Sequence, residues 1–215
     1  AELEARHRFH SDHRKAFSLG IGFALACGIA IVVSLMPLAI YIYLLLGGVL
    51  VAGFFGLSML SSQDPGEVPH TKNILAGVTF AFGTAMTAHV FRGEYGIGEL
   101  LVSHEFLCFA VLCILNISAI DLWEHAARSS DRETKASDEL ALTLPLVLLA
   151  GASLFYAAFD ERQNTRPCFC SILTGSALLY ILNRNRAQYS MDALRVLADV
   201  ALIAPLLVFV ALSRG

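Results

Sequence analysis

Three polar residues, Asn116, Asp121 and Glu124, end a long apolar run in the stretch N-I-S-A-I-D-L-W-E. If a helix continues through this stretch, Asn116 lies about one turn deeper than the two acids. Carboxylate oxygens are the hard ligands that Mg²⁺ prefers. The pattern predicts a polar cavity that opens at a helix end. The alternative is a solvated helix end in which Glu124 pairs with Arg128.

Basic residues that suit a phosphate group lie in the neighbouring polar segments. Lys72 ends the segment S-S-Q-D-P-G-E-V-P-H-T-K, and Arg128 and Arg132 follow Glu124. Loop arginines, however, are usually signals of membrane topology. Asp199 is a weaker cavity candidate, since Arg195 lies four residues before it and this spacing predicts a simple ion pair.

The elements that must position these residues are membrane helices. A chain with 56% hydrophobic and only 15% charged residues is too apolar for a soluble domain. From Ala16 to Gln63 there is no Asp, Glu, Lys or Arg, whereas one spanning helix needs only about 20 apolar residues. This run therefore holds two spans. Trp123 is expected to anchor the chain at a membrane interface.

The same length rule predicts an all-α integral membrane protein with seven transmembrane helices. A charged lead-in occupies residues 1–16, and a single membrane domain occupies residues 17–213. The spans are expected at 17–36, 38–60, 73–91, 100–121, 139–159, 167–183 and 194–213. Small residues recur at helical spacing in the first and third spans, which predicts close approach of helix backbones. They are Gly20, Ala24 and Gly28, and Gly77, Ala81 and Ala85.

Basic residues are divided unequally between the two sides of this arrangement. Eleven lie on one side and four on the other, which by the positive-inside rule predicts an inside N-terminus and an outside C-terminus. The eleven are Arg6, Arg8, Arg14, Lys15, Lys72, Arg128, Arg132, Lys135, Arg184, Arg186 and Arg195; the four are Arg92, Arg162, Arg166 and Arg214. A formal net charge of −3 implies no nucleic-acid partner. The expected partner is the lipid bilayer of a bacterial cytoplasmic membrane.

The polar segments resemble those of the UbiA family of intramembrane prenyltransferases. That family has nine helices, with two Asp-rich cytoplasmic loops that bind Mg²⁺ and the diphosphate of an isoprenoid. If the seven spans correspond to the last seven of the nine, Asn116, Asp121 and Glu124 stand where the second Asp-rich motif follows the sixth helix. The segment P-H-T-K-N-I-L-A-G-V-T-F-A-F-G-T at 69–84 is similar to the lysine and Gly-rich fifth helix of many members.

The resemblance implies Mg²⁺-dependent transfer of an isoprenoid from its diphosphate to a lipophilic or aromatic acceptor. It specifies neither the isoprenoid length nor the acceptor, and it leaves the catalytic residues unknown. The roles it implies are metal binding by Asp121 and Glu124, diphosphate binding by Lys72, Arg128 and Arg132, and cavity lining by Asn116 and Asp199.

Two departures from the family pattern affect the expected activity. The second motif is degenerate, because two residues separate Asp121 from Glu124 where members typically carry D-x-x-x-D. The first motif and the helices around it are missing, which we interpret as an N-terminal truncation. A chain with one acidic cluster is expected not to transfer prenyl groups, because the chemistry depends on ligand count and geometry. The alternative is a non-catalytic multi-span protein such as a transporter or scaffold.

Overall fold

A computed structural model describes residues 14–35, 37–38, 40–60, 70–92, 96–159 and 165–213. Every regular element in these ranges is a helix, so the predicted all-α class is confirmed. The helices are α1 Arg14–Leu35, α2 Ile40–Leu60, α3 His70–Arg92, α4 Ile97–Val102, α5 His104–Arg128, α6 Arg132–Phe159, α7 Arg166–Asn185, α8 Met191–Ile203 and α9 Pro205–Ser213, with a 3₁₀ turn at Arg186–Gln188. Most of the predicted lead-in, residues 1–13, lies outside the described residues.

Six helical segments of the described chain are long and apolar enough to cross a membrane. They are α1, α2, α3, α5, α6 and the combined segment Met191–Ser213. These segments are consistent with the predicted integral membrane protein. Helix α7 covers the predicted span 167–183 and has 20 residues, but it is not among the six. The predicted count of seven spans is therefore not confirmed.

The chain divides into two compact units, residues 1–42 and residues 43–215. In the first unit, α1 has no buried residue. A methyl group added at Gly20 or Gly28 would meet no other side chain within 4 Å among the described residues. The predicted close approach of helix backbones is therefore not seen at these two glycines in the described part of the chain.

Helix α5 is the centre of the second unit. It packs against α3, α6, α7 and α8, and its buried residues lie on several of its faces. The Ser103 hydroxyl accepts a hydrogen bond from the Phe106 amide at 3.3 Å and so caps the first turn. The helix therefore begins at His104, after the separate helix α4. It continues to Arg128, so Asp121 and Glu124 are helical residues.

Small residues bring α3 and α7 against α5. A Cβ at Gly77 would lie 2.6 Å from the backbone nitrogen of Ile114, so the close approach predicted for the third span is confirmed at this glycine. On α7, a Cβ at Gly175 would lie 3.0 Å from Leu112 Cδ2 and 3.3 Å from the carbonyl oxygen of Ala201. Such contacts require glycine because a larger residue would push the backbones apart.

The two ends of the second unit differ in chemistry. Helices α5 and α7 end where α3, α6 and α8 begin, and we call this the polar end. At the opposite end, the His104 and Tyr156 rings lie 4.6 Å apart between centroids, and Tyr156 stacks on Phe169 at 5.1 Å. The Arg166 guanidinium there donates to the Ala157 carbonyl oxygen at 3.1 Å. Cross-helix polar contacts between side chains are concentrated at the polar end.

Candidate functional site at the polar end

Asp121 is linked to the first turn of α3. Its Oδ2 accepts a hydrogen bond of 2.8 Å from the amide of Asn73, although 48 residues separate the two in the chain. Asn73 is almost fully buried, and Asp121 is half-buried. Among the residues that the structure describes, Oδ1 of this carboxylate has no hydrogen-bond partner. The segment that follows Lys72 and the acidic end of α5 therefore meet in space.

Glu124 is paired mainly with α8. Arg195 Nη2 donates to Glu124 Oε1 at 2.7 Å, and Arg195 Nη1 donates to Asp192 Oδ1 at 3.1 Å. The expected pairing of Arg195 with Asp199 is therefore wrong. Long side chains on a helix point back toward its N-terminus, so Arg195 extends toward Asp192 and away from the following turn. The ion pair between Glu124 and Arg128, predicted for a solvated helix end, is also present at a longer distance: Arg128 Nη2 lies 3.8 Å from Glu124 Oε2.

Of the three predicted phosphate-binding bases, Lys72 and Arg128 make separate contacts. The Lys72 ammonium lies 5.6 Å from the ring centroid of Phe54 on α2, within the range of a cation–π contact. Arg128 Nε donates to the backbone oxygen of Glu124 at 3.2 Å. Arg132 is exposed at the start of α6, and no ion pair or hydrogen bond of its side chain is recorded in the described part of the chain.

The two predicted cavity residues differ in burial. Asn116 is 4% exposed, and its Oδ1 has no hydrogen-bond partner among the described residues. Asn116 lies one turn after Leu112 on α5, so the two side chains share one face of that helix. Leu112 lies where α7 packs against α8, near Gly175. Asp199 is exposed on α8, and its carboxylate makes no recorded hydrogen bond or ion pair with the residues that the structure describes.

Trp123 is a buried hydrogen-bond donor, so the predicted role as an interface anchor is wrong. It is 2% exposed, and its Nε1 donates to Asn183 Oδ1 at 2.9 Å. The Asn183 amide in turn donates to Thr143 Oγ1 at 3.1 Å and to the Glu139 carbonyl oxygen at 3.2 Å. A tryptophan at a helix end can serve as an anchor only if it faces lipid, whereas this one faces α7.

Comparison with known proteins gave a negative result. No protein-family model, curated protein or solved structure matches this chain. Across the described ranges, no group of three or more His, Cys, Asp or Glu side chains is arranged to hold a metal ion.

Further ion pairs join α6 to its neighbours. Glu139 accepts from Arg184 Nη1 at 2.6 Å and from Arg186 Nη2 at 3.4 Å. His125 Nδ1 lies 2.8 Å from Asp138 Oδ2, which pairs α5 with α6. The charges of Glu139, Arg184 and Arg186 are thus paired within the protein, which is the arrangement expected of a structural network.

Asp131 caps the start of α6 in the connection between α5 and α6. Its Oδ2 accepts hydrogen bonds from the Thr134 hydroxyl at 2.7 Å and the Thr134 amide at 2.9 Å. These bonds favour the charged form, so the pKa of the Asp131 carboxyl lies below its ordinary value. The cap is therefore fully formed at neutral pH, and it weakens as pH falls through the lowered pKa of the folded state.

Two residues of the polar end were not predicted as site residues. Asn73 directly follows Lys72 in H-T-K-N, so an amide beside the candidate phosphate-binding lysine was visible in the sequence. Arg195 is the basic residue of the last predicted span, and a base within a span requires a partner of opposite charge. Which partner each one takes depends on how α3 and α8 pack on α5.

Proposed function

We propose that this chain is a UbiA-like membrane prenyltransferase homologue whose polar end binds an isoprenoid diphosphate together with a divalent cation. The hydrogen bond from Asn73 to Asp121 carries the proposal. It joins the two segments on which the resemblance depends, the lysine-containing start of α3 and the acidic end of α5. Two segments 48 residues apart in sequence would meet in this way if they form one binding site.

The donor set at the polar end fits a cation such as Mg²⁺ in part. Asp121 keeps one carboxylate oxygen without a recorded partner, and the Glu124 carboxylate is bound only by exposed arginines among the described residues. Mg²⁺ typically binds through one or two carboxylates, several waters and substrate phosphates. Asp121 and Glu124 would hold such an ion, and the ion would supply charge neutralisation for the diphosphate.

Lys72 is the base placed to reach the diphosphate. It lies next to Asn73, which contacts Asp121, and its side chain is flexible enough to leave the Phe54 ring. Lys72 and Phe54 are both half-buried, so moving the ammonium off the ring costs roughly 0.5–2 kcal/mol. Arg128 lies on the other side of Glu124 and provides a second positive charge for the same group.

An apolar groove suits the isoprenoid tail. It lies between α2 and α3 and has a volume of about 200 Å³. Thr79 at its edge is seven residues after Lys72, which corresponds to about 10 Å along α3. A diphosphate at the polar end would therefore have its tail directed along this groove. The lining residues are Leu44, Gly47, Gly48, Val51, Thr79, Phe82, Gly83 and Met86.

We further infer that α7 crosses the membrane as the sixth of seven spans. Its 20 residues correspond to about 30 Å of helix, the thickness of the hydrocarbon core. Its polar residues Ser176 and Asn183 are buried against other helices, where they do not contact lipid. With seven crossings, the positive-inside rule predicts an inside N-terminus and an outside C-terminus.

Binding of an isoprenoid diphosphate to the purified chain in lipid nanodiscs tests the proposal. The probe is geranylgeranyl diphosphate, measured by calorimetry with and without Mg²⁺. We expect Mg²⁺-dependent binding that Asp121→Asn weakens about tenfold or more, because the variant removes a charged ligand. The amide oxygen that the substitution introduces can still accept the hydrogen bond from Asn73, so the fold is preserved. Glu133→Gln, at an exposed position on α6, is the matched control and should bind as the unchanged chain does.

Binding that is absent, or that depends on neither Mg²⁺ nor Asp121, would contradict the proposed function. Two outcomes separate binding from stability. If Asp121→Asn lowers affinity at an unchanged melting temperature, the carboxylate acts on the ligand. If it lowers the melting temperature and the chain binds no diphosphate, the carboxylate is structural.

That second outcome would favour a non-catalytic membrane scaffold. One observation supports this candidate: Asp121 and Glu124 already have partners on α3 and α8, and those contacts hold three helices together. A scaffold would use the acids for helix packing alone. The diphosphate assay and the melting temperatures therefore discriminate between the two candidates.

A further inference from the structure

Arg195 sits between acids of two helices at the polar end. It donates to Glu124 on α5 at 2.7 Å and to Asp192 on its own helix at 3.1 Å. Its side chain is 44% exposed, and a guanidinium has five donors, of which these contacts use two. Part of the guanidinium is therefore open to solvent at the polar end, next to the carboxylate that the proposed function assigns to a cation.

We propose that Arg195 is a diphosphate-binding residue that is held on Glu124 until a divalent cation takes that carboxylate. This inference rests on the proposed function and adds a residue that the resemblance does not assign. Glu124 Oε1, which accepts from Arg195, would be shared with a cation if one were bound at this carboxylate. The released guanidinium then lies next to an anion whose paired oxygens it matches in geometry.

The surroundings of Arg195 make such an exchange inexpensive. The Glu124 side chain is 29% exposed and that of Arg195 is 44% exposed, and ion pairs this open to solvent contribute little to stability. The other oxygen of Glu124 has only the loose contact with Arg128 at 3.8 Å among the described residues. Asp192 keeps Arg195 oriented toward the polar end after the contact with Glu124 breaks, because the two residues are neighbours at i, i+3.

The alternative role of Arg195 is to hold α8 against α5. The two roles differ in what a substitution changes. A structural arginine affects the melting temperature without affecting the binding of an anion. An anion-binding arginine affects affinity, and its replacement by lysine preserves part of the effect because the charge remains.

The experiment measures inorganic diphosphate binding to the full chain in nanodiscs, with and without Mg²⁺. With Mg²⁺ present, Arg195→Gln should weaken binding about tenfold, as expected for loss of a charge-assisted contact, and Arg195→Lys should weaken it less. Arg184→Gln is the matched control, since Arg184 is also an exposed arginine in an ion pair, with Glu139. It should change affinity by less than about twofold, because it lies outside the proposed site.

Removing Glu124, the partner of Arg195, should change the affinity for diphosphate in the opposite direction. Glu124→Gln releases Arg195, so diphosphate should bind more tightly than to the unchanged chain when Mg²⁺ is absent, and Mg²⁺ should improve binding less. Glu133→Gln removes the same charge from an exposed position of α6 and should produce no such gain.

Equal affinities for Arg195→Gln and Arg184→Gln would overturn this inference and leave the proposed function intact, provided the unchanged chain binds diphosphate with Mg²⁺. No binding by the unchanged chain would overturn both. Weaker metal-free binding in Glu124→Gln would also overturn the exchange, because it would mean that Glu124 supports the anion directly.

Discussion

At the level of single residues, Asn183 connects three helices through one side-chain amide. Its oxygen accepts from Trp123 on α5, and its nitrogen donates to Thr143 and the Glu139 backbone on α6. Asn183 itself is 1% exposed. A buried polar group that loses its partner costs its full desolvation energy, so the members of this network depend on one another.

Asn183→Ala is expected to destabilise the protein by about 2–3 kcal/mol, because it leaves the Trp123 N–H without its acceptor and opens a small cavity. Thermal unfolding in detergent measures the effect. Trp123 is the single tryptophan of the chain, so its fluorescence follows this region directly. Asn185→Ala is the control: its side chain bonds only to the end of α7 and to Gln188 within the described chain, and its cost should stay below about 1 kcal/mol. Equal losses in the two variants would contradict the role assigned to the network.

At the level of elements, the position of α3 depends on its contact with α5 at Gly77. The contact is with backbone atoms of Ile114, which cannot rotate away as a side chain can. Helix α3 also carries Asn73, one turn before Gly77, so the spacing of the two helices determines whether Asn73 reaches Asp121. Packing at a glycine about two turns from the start of α3 thus controls the geometry of the polar end.

Gly77→Ala is expected to destabilise the protein by about 1–3 kcal/mol, because the added methyl group lies 2.6 Å from Ile114 backbone atoms and forces α3 away. Gly83→Ala on the same helix meets no atom within 4 Å among the described residues and should be neutral or stabilising by up to about 1 kcal/mol. Melting temperatures of the two variants in one detergent measure the difference. If Gly83→Ala costs as much as Gly77→Ala, the close approach of α3 and α5 is not the cause.

At the level of the whole molecule, the number of crossings decides on which side of the membrane each helix end lies. Six segments of the described chain are long and apolar enough to cross a membrane. Helix α7 is not among them, so the seven-span topology depends on whether α7 also crosses. Its buried face includes Ser176 and Asn183, so part of its polarity is hidden from lipid. A helix inside a bundle can therefore cross a membrane with a lower hydropathy than one that faces lipid on all sides.

Reporter fusions test the seven-span topology. We expect fusions to report alternating sides in the order inside, outside, inside, outside, inside, because each pair of neighbouring sites flanks one span. The fusion sites are Gln63, Gly93, Arg132, Arg162 and Asn185. The last two flank α7, so the same side at both would show that α7 does not cross. The same side at any other neighbouring pair would contradict the crossing of the span between them.

The helical class, six segments long and apolar enough to cross a membrane, and the residue types at the polar end could be predicted from the amino-acid sequence. Long apolar runs specify membrane helices through composition and length alone, since backbone groups in lipid must be paired within the segment. The glycine at position 77 could also be interpreted locally, because a small residue at helical spacing permits close approach whichever helix packs there.

Which side chains meet is a property of the packed bundle. Asn73 and Asp121 are 48 residues apart, and Glu124 and Arg195 are 71 apart. Spacing along one helix describes neighbours on that helix and contains no information about which other helix packs against it. For this reason the sequence predicted a pair between Arg195 and Asp199 and an interfacial Trp123, whereas packing on α5 paired Arg195 with Glu124 and buried Trp123 against Asn183.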